Sequence, residues 1–338
     1  MGTTVRAAYL IKHGKAASAF EVRETQVPSP GPGEIQIQVE AFGLNFADVM
    51  ARLGMYPDAP KPPGIIGYDV IGTVKAIGEG RSDQLHVGDR VIGLTRFNGY
   101  AELVNTQAAG VVKIEEDIDV ASATALATQG GTAHYMAEEM VRLHEGDRVL
   151  VHAAAGGVGS LLCQMGIAAG AEVYGTASAA AKLDYLSTIG VHHPINYREK
   201  DFAKEASEMD VIFDPIGGLS VKKGFKSLRS GGRMVLFGAS SLTSAKSIFS
   251  KLGVVLGFGL YSPIQLLNPS KSLIAVNMLR IADDRPDVLN RCLRGAVEMH
   301  AKGVITPLSG GVYPIEELAE AHEALEQRQT MGKLAITW

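Results

Sequence analysis

The chain has 338 residues, 46% hydrophobic and 20% charged, with 39 glycines and a formal net charge of -4. That length accommodates two domains with separate cores, and the interspersed charges provide no basic field to drive nucleic-acid binding by counterion release, so no nucleic-acid partner is expected. Two cysteines, Cys163 and Cys292, without CxxC spacing, exclude a disulfide framework and a cysteine-rich zinc site.

The opening MGTTVRAAYLIKHG carries no long apolar core ahead of a small-residue cleavage site and no persuasive lipidation signal, so the expected location is cytoplasmic. From Val5 to about Val104 the pattern is mostly β. Alternation is clearest in Glu34 to Glu40, where Ile35, Ile37 and Val39 face one way and Gln36, Gln38 and Glu40 the other. Pro28, Pro30, Gly31, Pro32 and Gly33 separate two strands. The expectation is a partly open antiparallel barrel, interrupted by a short helix from Asn45 to Leu53.

After Asp119 the spacing turns helical, and from Arg148 to about Met278 strands and helices alternate as a doubly wound parallel sheet requires. Strands are expected at Arg148 to Ala153, Glu172 to Ala177, Pro194 to Tyr197, Asp210 to Asp214, Arg233 to Gly238 and Leu273 to Met278. The first opens the stretch VLVHAAAGGVG, Val149 to Gly159, a variant of GxGxxG with Ala154 at the first glycine position. In a βαβ unit the amides of Ala155, Gly156, Gly157, Val158 and Gly159 would meet a pyrophosphate at the N-terminus of the helix that follows, where Cys163 reads as a small buried apolar residue. A glycine turn that serves sterics alone is the other reading. The second strand ends in Ala177 and Ser178, with Lys182 four residues later and no carboxylate for a ribose hydroxyl, which favours NADPH over NADH.

Leu242 to Lys271 is long for a connection and reads as a functional loop, either a flap or an oligomer contact, with peripheral membrane contact as a further use. Its apolar run, Leu252 to Leu260, is too short to cross a bilayer, and no transmembrane segment is expected. The adjacent His192 and His193 read as loop residues and not as metal ligands, because neighbours on a strand point to opposite faces. The helix from Asp287 to Gly303 and the tail from Val304 to Trp338 return to the first domain.

PGPGEIQIQVEAFGLNFADVMARLGMYP, PGIIGYDVIGTVKAIGEG, GDRVIGL, HAAAGGVGSLLCQ, INYREKDF, VIFDPIGG and TMGKLAI together resemble, end to end, the zinc-free quinone oxidoreductase branch of the medium-chain dehydrogenase/reductase superfamily, which includes zeta-crystallin. The stretch from Tyr261 to Lys271 is similar to the vesicle amine transport protein homologues of that branch. The resemblance implies an α/β fold: a GroES-like β-rich catalytic domain of residues 1-126 and 285-338, and a Rossmann domain of residues 127-284 with a doubly wound parallel sheet. Zinc members of the superfamily carry cysteine where Asn45 stands and a histidine-glutamate pair where Tyr68 and Asp69 stand. Asparagine and tyrosine cannot replace thiolate and imidazole, so no metal site is expected.

The chemistry so implied is hydride transfer from NADPH to a small-molecule quinone or activated α,β-unsaturated carbonyl, in a homodimer. Two alternatives remain: an enoyl-type reductase of larger or thioester substrates, and a non-catalytic NADPH-binding protein with a membrane or RNA partner. By resemblance Asn45 and Thr132 lie beside the nicotinamide, Asn45 bonding ribose or substrate and Thr132 the carboxamide. Their structural alternatives are a turn asparagine and a capping threonine. Tyr56 is the candidate proton or hydrogen-bond donor to the acceptor, its alternative a half-buried loop aromatic. Asp48 reads as fixing the short helix. Ser178, Lys182, Tyr197 and Arg328 are carried to the 2′-phosphate, and Phe237, Gly238 and Asn277 to the nicotinamide side. Met50 stands where the branch commonly has a second tyrosine.

Overall fold

The computed structural model describes residues 2-80, 85-245 and 247-338. The chain divides into two compact units. The first comprises the residues up to Thr132, Met278–Ala301 and Pro307–Trp338, and the second Ala133–Asn277 with Lys302–Thr306.

The first unit is β-rich. Strands β1 (Thr3–Leu10), β2 (Phe20–Val27) and β4 (Gly64–Ile65) form a three-stranded antiparallel sheet. A larger sheet uses β3 (Glu34–Leu44), β5 (Asp69–Ile77), β6 (Arg90–Leu94), β7 (Leu103–Gln107), β8 (Val111–Lys113), β15 (Ser309–Pro314) and β16 (Lys333–Thr337), in the order β15-β16-β3-β5-β6-β8 with β7 also paired to β3. Ile35, Ile37 and Val39 are buried as their alternation requires. Gln36 departs from the outward position expected of it. It is 5% exposed, and its amide donates to Pro28 O and Asn105 Oδ1 at 3.0 Å each, bonds that offset the cost of burying it. The helix expected at Asn45 to Leu53 is Phe46–Arg52.

The second unit is a parallel sheet of β9 (Arg148–Val151), β10 (Glu172–Ala177), β11 (His193–Asn196), β12 (Met209–Asp214), β13 (Leu228–Leu236) and β14 (Ser272–Ala275), in the order β11-β10-β9-β12-β13-β14. The order reverses at β9, and in open sheets of this kind ligands bind at the carboxyl ends beside such a reversal. Val149, Leu150 and Val151 are fully buried, as a central strand covered on both faces demands.

Three further expectations need correction. The sixth strand stops at Ala275, and Met278 starts a helix, Met278–Asp284, so Asn277 lies beyond the strand. His193 opens β11 instead of lying in a loop. It stacks on Tyr174 at 4.2 Å and bonds Glu172 Oε1 at 2.7 Å, while His192 Nδ1 accepts from Val173 N. Finally, Leu242 to Lys271 is helical over much of its length: Ser241–Ser244, Ile248–Gly257 and Pro263–Leu267, with Lys246 outside the described residues. Ser247 accepts from Ser250 N at the start of the second helix, and Ser262 donates its backbone N-H to Gln265 Oε1 ahead of the third, where Pro263 occupies the first turn. Among the described residues no helix is long and apolar enough to cross a membrane.

Candidate functional site

The glycine turn is built by backbone. Ala153 adopts φ 51, its carbonyl accepts Gly156 N at 2.9 Å, and the helix Gly157–Ala168 begins immediately after. A Cβ on Gly159 would collide with Ala153 O and lie 2.9 Å from Ala154 Cα, so only glycine lets the helix pack this close to the strand. The first bond of the helix runs from Ser160 N to Gly156 O at 2.9 Å. The amides of Gly157, Val158 and Gly159 precede it and point from the positive end of the dipole, beside the buried Ala155.

β10 ends at Ala177, which pairs with Asn196 of β11, and Tyr197 N donates to Ala177 O at 3.1 Å. This brings Tyr197 alongside Ser178, with Lys182 in the first turn of the helix Ala180–Thr188. Tyr197 is exposed, and Asp184 is the first acid after the strand. This edge offers hydroxyls and a cation and suits a phosphate better than an unmodified ribose diol. Arg328, at φ 58, belongs to the other unit. Phe237 and Gly238 follow β13, with Phe237 N bonded to Asp214 O at 3.1 Å. A Cβ on Gly238 would meet Pro215 O at 2.7 Å.

In the first unit Thr132 lies in the helix Gly131–His134, between π-helical segments Leu126–Gly130 and Tyr135–Met140, the kind of irregularity that gathers at functional sites. It is no cap: Thr132 Oγ1 donates to Thr128 O at 2.6 Å, which leaves its oxygen lone pairs for a donor such as a carboxamide N-H. Burial gives the same stretch the unpartnered polar atoms Thr128 Oγ1 and Gln129 Oε1.

Asn45 precedes the helix Phe46–Arg52. Its backbone N-H donates to Asp48 Oδ2 at 2.8 Å, so Asp48 fixes the helix start. The Asn45 side chain also reaches across the sheet: Nδ2 donates to Asp69 Oδ1 at 2.6 Å, and Oδ1 accepts from Lys333 Nζ at 2.9 Å. Lys333 also pairs with Asp69, and both side chains are wholly buried. Tyr68 packs edge-on to Tyr56 at 6.1 Å and against Phe97 at 5.2 Å, with Leu279, Ala47 and Ala59 around them. Burial raises the pKa of both phenols and so keeps them protonated. Tyr56 lies near enough to perturb Tyr68, yet no group meets hydrogen-bond geometry at Tyr68 Oη. Sequence reasoning passed over Lys333 and the hydroxyl of Tyr68. Its one signal for the lysine was the closing TMGKLAI, and nothing in that string says that Lys333 is buried.

Among the described residues no three of His, Cys, Asp and Glu are grouped to hold a metal ion. Cys163 and Cys292 are buried, and burial pushes the Cys163 thiol well up, out of reactive range.

A GroES-like β unit and a doubly wound unit with a glycine cradle define a nicotinamide-linked oxidoreductase class. Residues 31-139 match the alcohol dehydrogenase GroES-like domain family and residues 189-336 the zinc-binding dehydrogenase family. The chain is 32% identical over 332 residues to the rat synaptic vesicle membrane protein VAT-1 homolog, covering 94% of this chain and 80% of the relative. It is 30% identical over 343 residues to a Burkholderia 2-haloacrylate reductase, covering 98% of each. The structure of Escherichia coli quinone oxidoreductase complexed with NADPH superposes with a TM-score of 0.84 at 27% identity, covering 99% of this chain and 100% of that one. The chain belongs to the medium-chain dehydrogenase/reductase superfamily, in the quinone oxidoreductase branch with the VAT-1 homologues, and it is an oxidoreductase of that family.

Proposed function

We propose that the chain is an NADPH-dependent, zinc-independent reductase that transfers a hydride to a quinone or an activated α,β-unsaturated carbonyl. The observation that carries this reading is the end of β10, where Ser178 and Tyr197 stand beside the glycine cradle with no carboxylate to repel a 2′-phosphate. The amides of Ala155, Gly157, Val158 and Gly159 hold the diphosphate, while Gly156, whose N-H is taken by Ala153 O, shapes the turn. Ser178, Lys182, Tyr197 and Arg328 neutralise and bond the 2′-phosphate, and Phe237, Gly238, Asn277 and Thr132 line the nicotinamide. When bound, NADPH supplies two electrons as a hydride. The acceptor is electron-poor, so the chain's task is orientation, exclusion of water and donation to the acceptor oxygen, with the Tyr56 phenol as the donor to the acceptor and Asn45 bonding the ribose or the substrate. Mixing the protein and NADPH with 1,4-naphthoquinone and a panel of enones, in a single-turnover experiment, should deplete the 340 nm band in order of acceptor electrophilicity. A band that persists across the panel rejects the reading.

We further propose a homodimer through the β14 edge. That strand ends the sheet, and the helices Ile248–Gly257 and Pro263–Leu267 that precede it expose Ile248, Phe249, Leu252, Leu256 and Leu267. An open edge beside an apolar patch calls for a cover. Sedimentation as a monomer at micromolar concentration refutes it.

A further inference from the structure

Three strands that are neighbours in the large sheet converge on one carboxamide. Asn45 follows the last residue of β3, Asp69 is the first of β5, and Lys333 is the first of β16. The registers Leu334 with Leu44 and Phe42 with Val70 set these ends side by side. Gly43 makes the convergence possible, since a Cβ there would run into the Lys333 stem and lie 2.7 Å from Asp69 Oδ2.

An ammonium can only donate and a carboxylate can only accept, so the amide has a single orientation: Oδ1 toward Lys333 and one Nδ2 proton toward Asp69. An asparagine before a helix ordinarily uses its side chain to cap the free amides. Here Asn45 and Asp48 face each other in a capping box, and the Asn45 side chain is at the same time bonded to Lys333 and Asp69. A wholly buried ion pair is moreover a poor route to stability, because apolar residues of similar volume serve as well without its desolvation cost. Its presence calls for a role that an apolar pair cannot fill. Asn45 itself retains slight exposure, at 7%.

We propose, resting on the reductase reading, that Lys333 and Asp69 are positioning residues that lock the Asn45 carboxamide and present its one uncommitted Nδ2 proton as a fixed donor to a neutral oxygen of the bound reactants, a ribose hydroxyl or an acceptor carbonyl. The lysine holds the oxygen end of the amide, and the aspartate holds the proton that points inward. The remaining proton then cannot rotate out of line, and a neutral group does the pointing without placing a net charge at the site.

The test is a mutant cycle on the full chain: Asn45→Ala, the double change Lys333→Met with Asp69→Asn, and all three together. Two quantities are read, NADPH affinity by fluorescence without acceptor, and kcat and KM for 1,4-naphthoquinone. The lock predicts that Asn45→Ala and the double change each lose about 10- to 100-fold in the same quantity, the size expected of a well-aligned donor in a dry site. The triple variant should lose no more than Asn45→Ala alone. Loss in NADPH affinity assigns the oxygen to the ribose, and loss in kcat/KM at unchanged affinity assigns it to the acceptor. Multiplying losses in the triple variant, or a folded double variant with wild-type constants, overturns the proposal. Should the double variant not fold, side-chain 15N spectra of the wild type decide. One Asn45 Nδ2 proton should resist exchange and its twin exchange freely until NADPH or naphthoquinone is added, whereas equal exchange of both overturns the lock. The affinity and exchange measurements need no turnover, so a chain that fails to reduce the quinone sinks the reductase reading separately.

Discussion

Asp48 accepts the backbone N-H of Asn45 through Oδ2, while its other oxygen, Oδ1, is buried without a well-formed hydrogen bond among the described residues. Burial, and after it the charge of Asp69, pushes this carboxyl up to about 8, so at neutral pH it is a protonated acid. A folded value above the unfolded one means stability that is complete below about pH 4 and lost as pH climbs toward 8, at about 1.4 kcal/mol per pH unit. His322 acts oppositely: burial, with Arg52 nearby, lowers it to about 3, so its contribution is complete above about pH 6.5 and lost on acidification toward 3. The two slopes oppose each other from about pH 4 to 6.5, which leaves pH 6.5 to 8 as the window in which Asp48 acts alone. The melting temperature should fall across that window in the wild type and stay level in Asp48→Asn, which keeps the acceptor for Asn45 N and has nothing to ionise. Parallel curves for the two proteins would remove Asp48 from this account.

Much of this arrangement could be read before any coordinates. The alternation in Glu34 to Glu40 and the apolar run before Gly156 are local signals, and a strand or a strand-turn-helix follows from them directly. The amide lock is another matter, since Asn45 and Lys333 are 288 residues apart and only the order of β16, β3 and β5 brings them together. Gln36 faces inward because Pro28 and Asn105 supply its partners, and neither adjoins it in the chain. In the stretch after Leu242 the legible signals lost to a misleading one. Ser262-Pro263 with Gln265 is a helix-start pattern, but the length of the stretch between two strands suggests a loop, and the three serines between Leu242 and Leu252 do nothing to oppose it.

Gly159→Ala tests whether the cradle depends on backbone contact. The added Cβ meets Ala153 and Ala154 backbone, which no rotamer change relieves, so the variant should lose about 1-3 kcal/mol of stability and at least 10-fold in NADPH affinity. Gly253→Ala is the control: nothing lies within 4 Å of its Cβ, and alanine favours the helix it sits in. Chemical denaturation and fluorescence titration of the pair suffice, and equal behaviour of the two would mean that the turn yields more easily than its geometry says.

The two phenols separate donation from packing. Tyr68→Phe deletes a buried hydroxyl whose neighbour is the Tyr56 phenol and keeps the ring, so stability should stay within about 1 kcal/mol of the wild type. Tyr56→Phe keeps the edge-on contact with Tyr68 and removes the donor, so kcat with an enone should drop about 100-fold while NADPH affinity holds. An unchanged kcat would return Tyr56 to the role of a half-buried aromatic.

Ser178→Asp asks the cofactor question most sharply. The residue follows β10 at Ala177, with Tyr197 tied to the same strand end and Lys182 one turn into the next helix, so a carboxylate there faces the position assigned to the 2′-phosphate. Like charges in a partly dry site repel strongly, whereas an aspartate can accept from both hydroxyls of an unmodified ribose. NADPH should bind at least 10-fold more weakly and NADH more tightly than to the wild type. Lys182→Ala should weaken NADPH alone, because it subtracts a cation and adds no anion. Fluorescence titration of both cofactors against the three proteins gives the comparison. If Ser178→Asp leaves the ratio of the two affinities where it began, the phosphate lies elsewhere on the unit and the β10 edge is only a strand end.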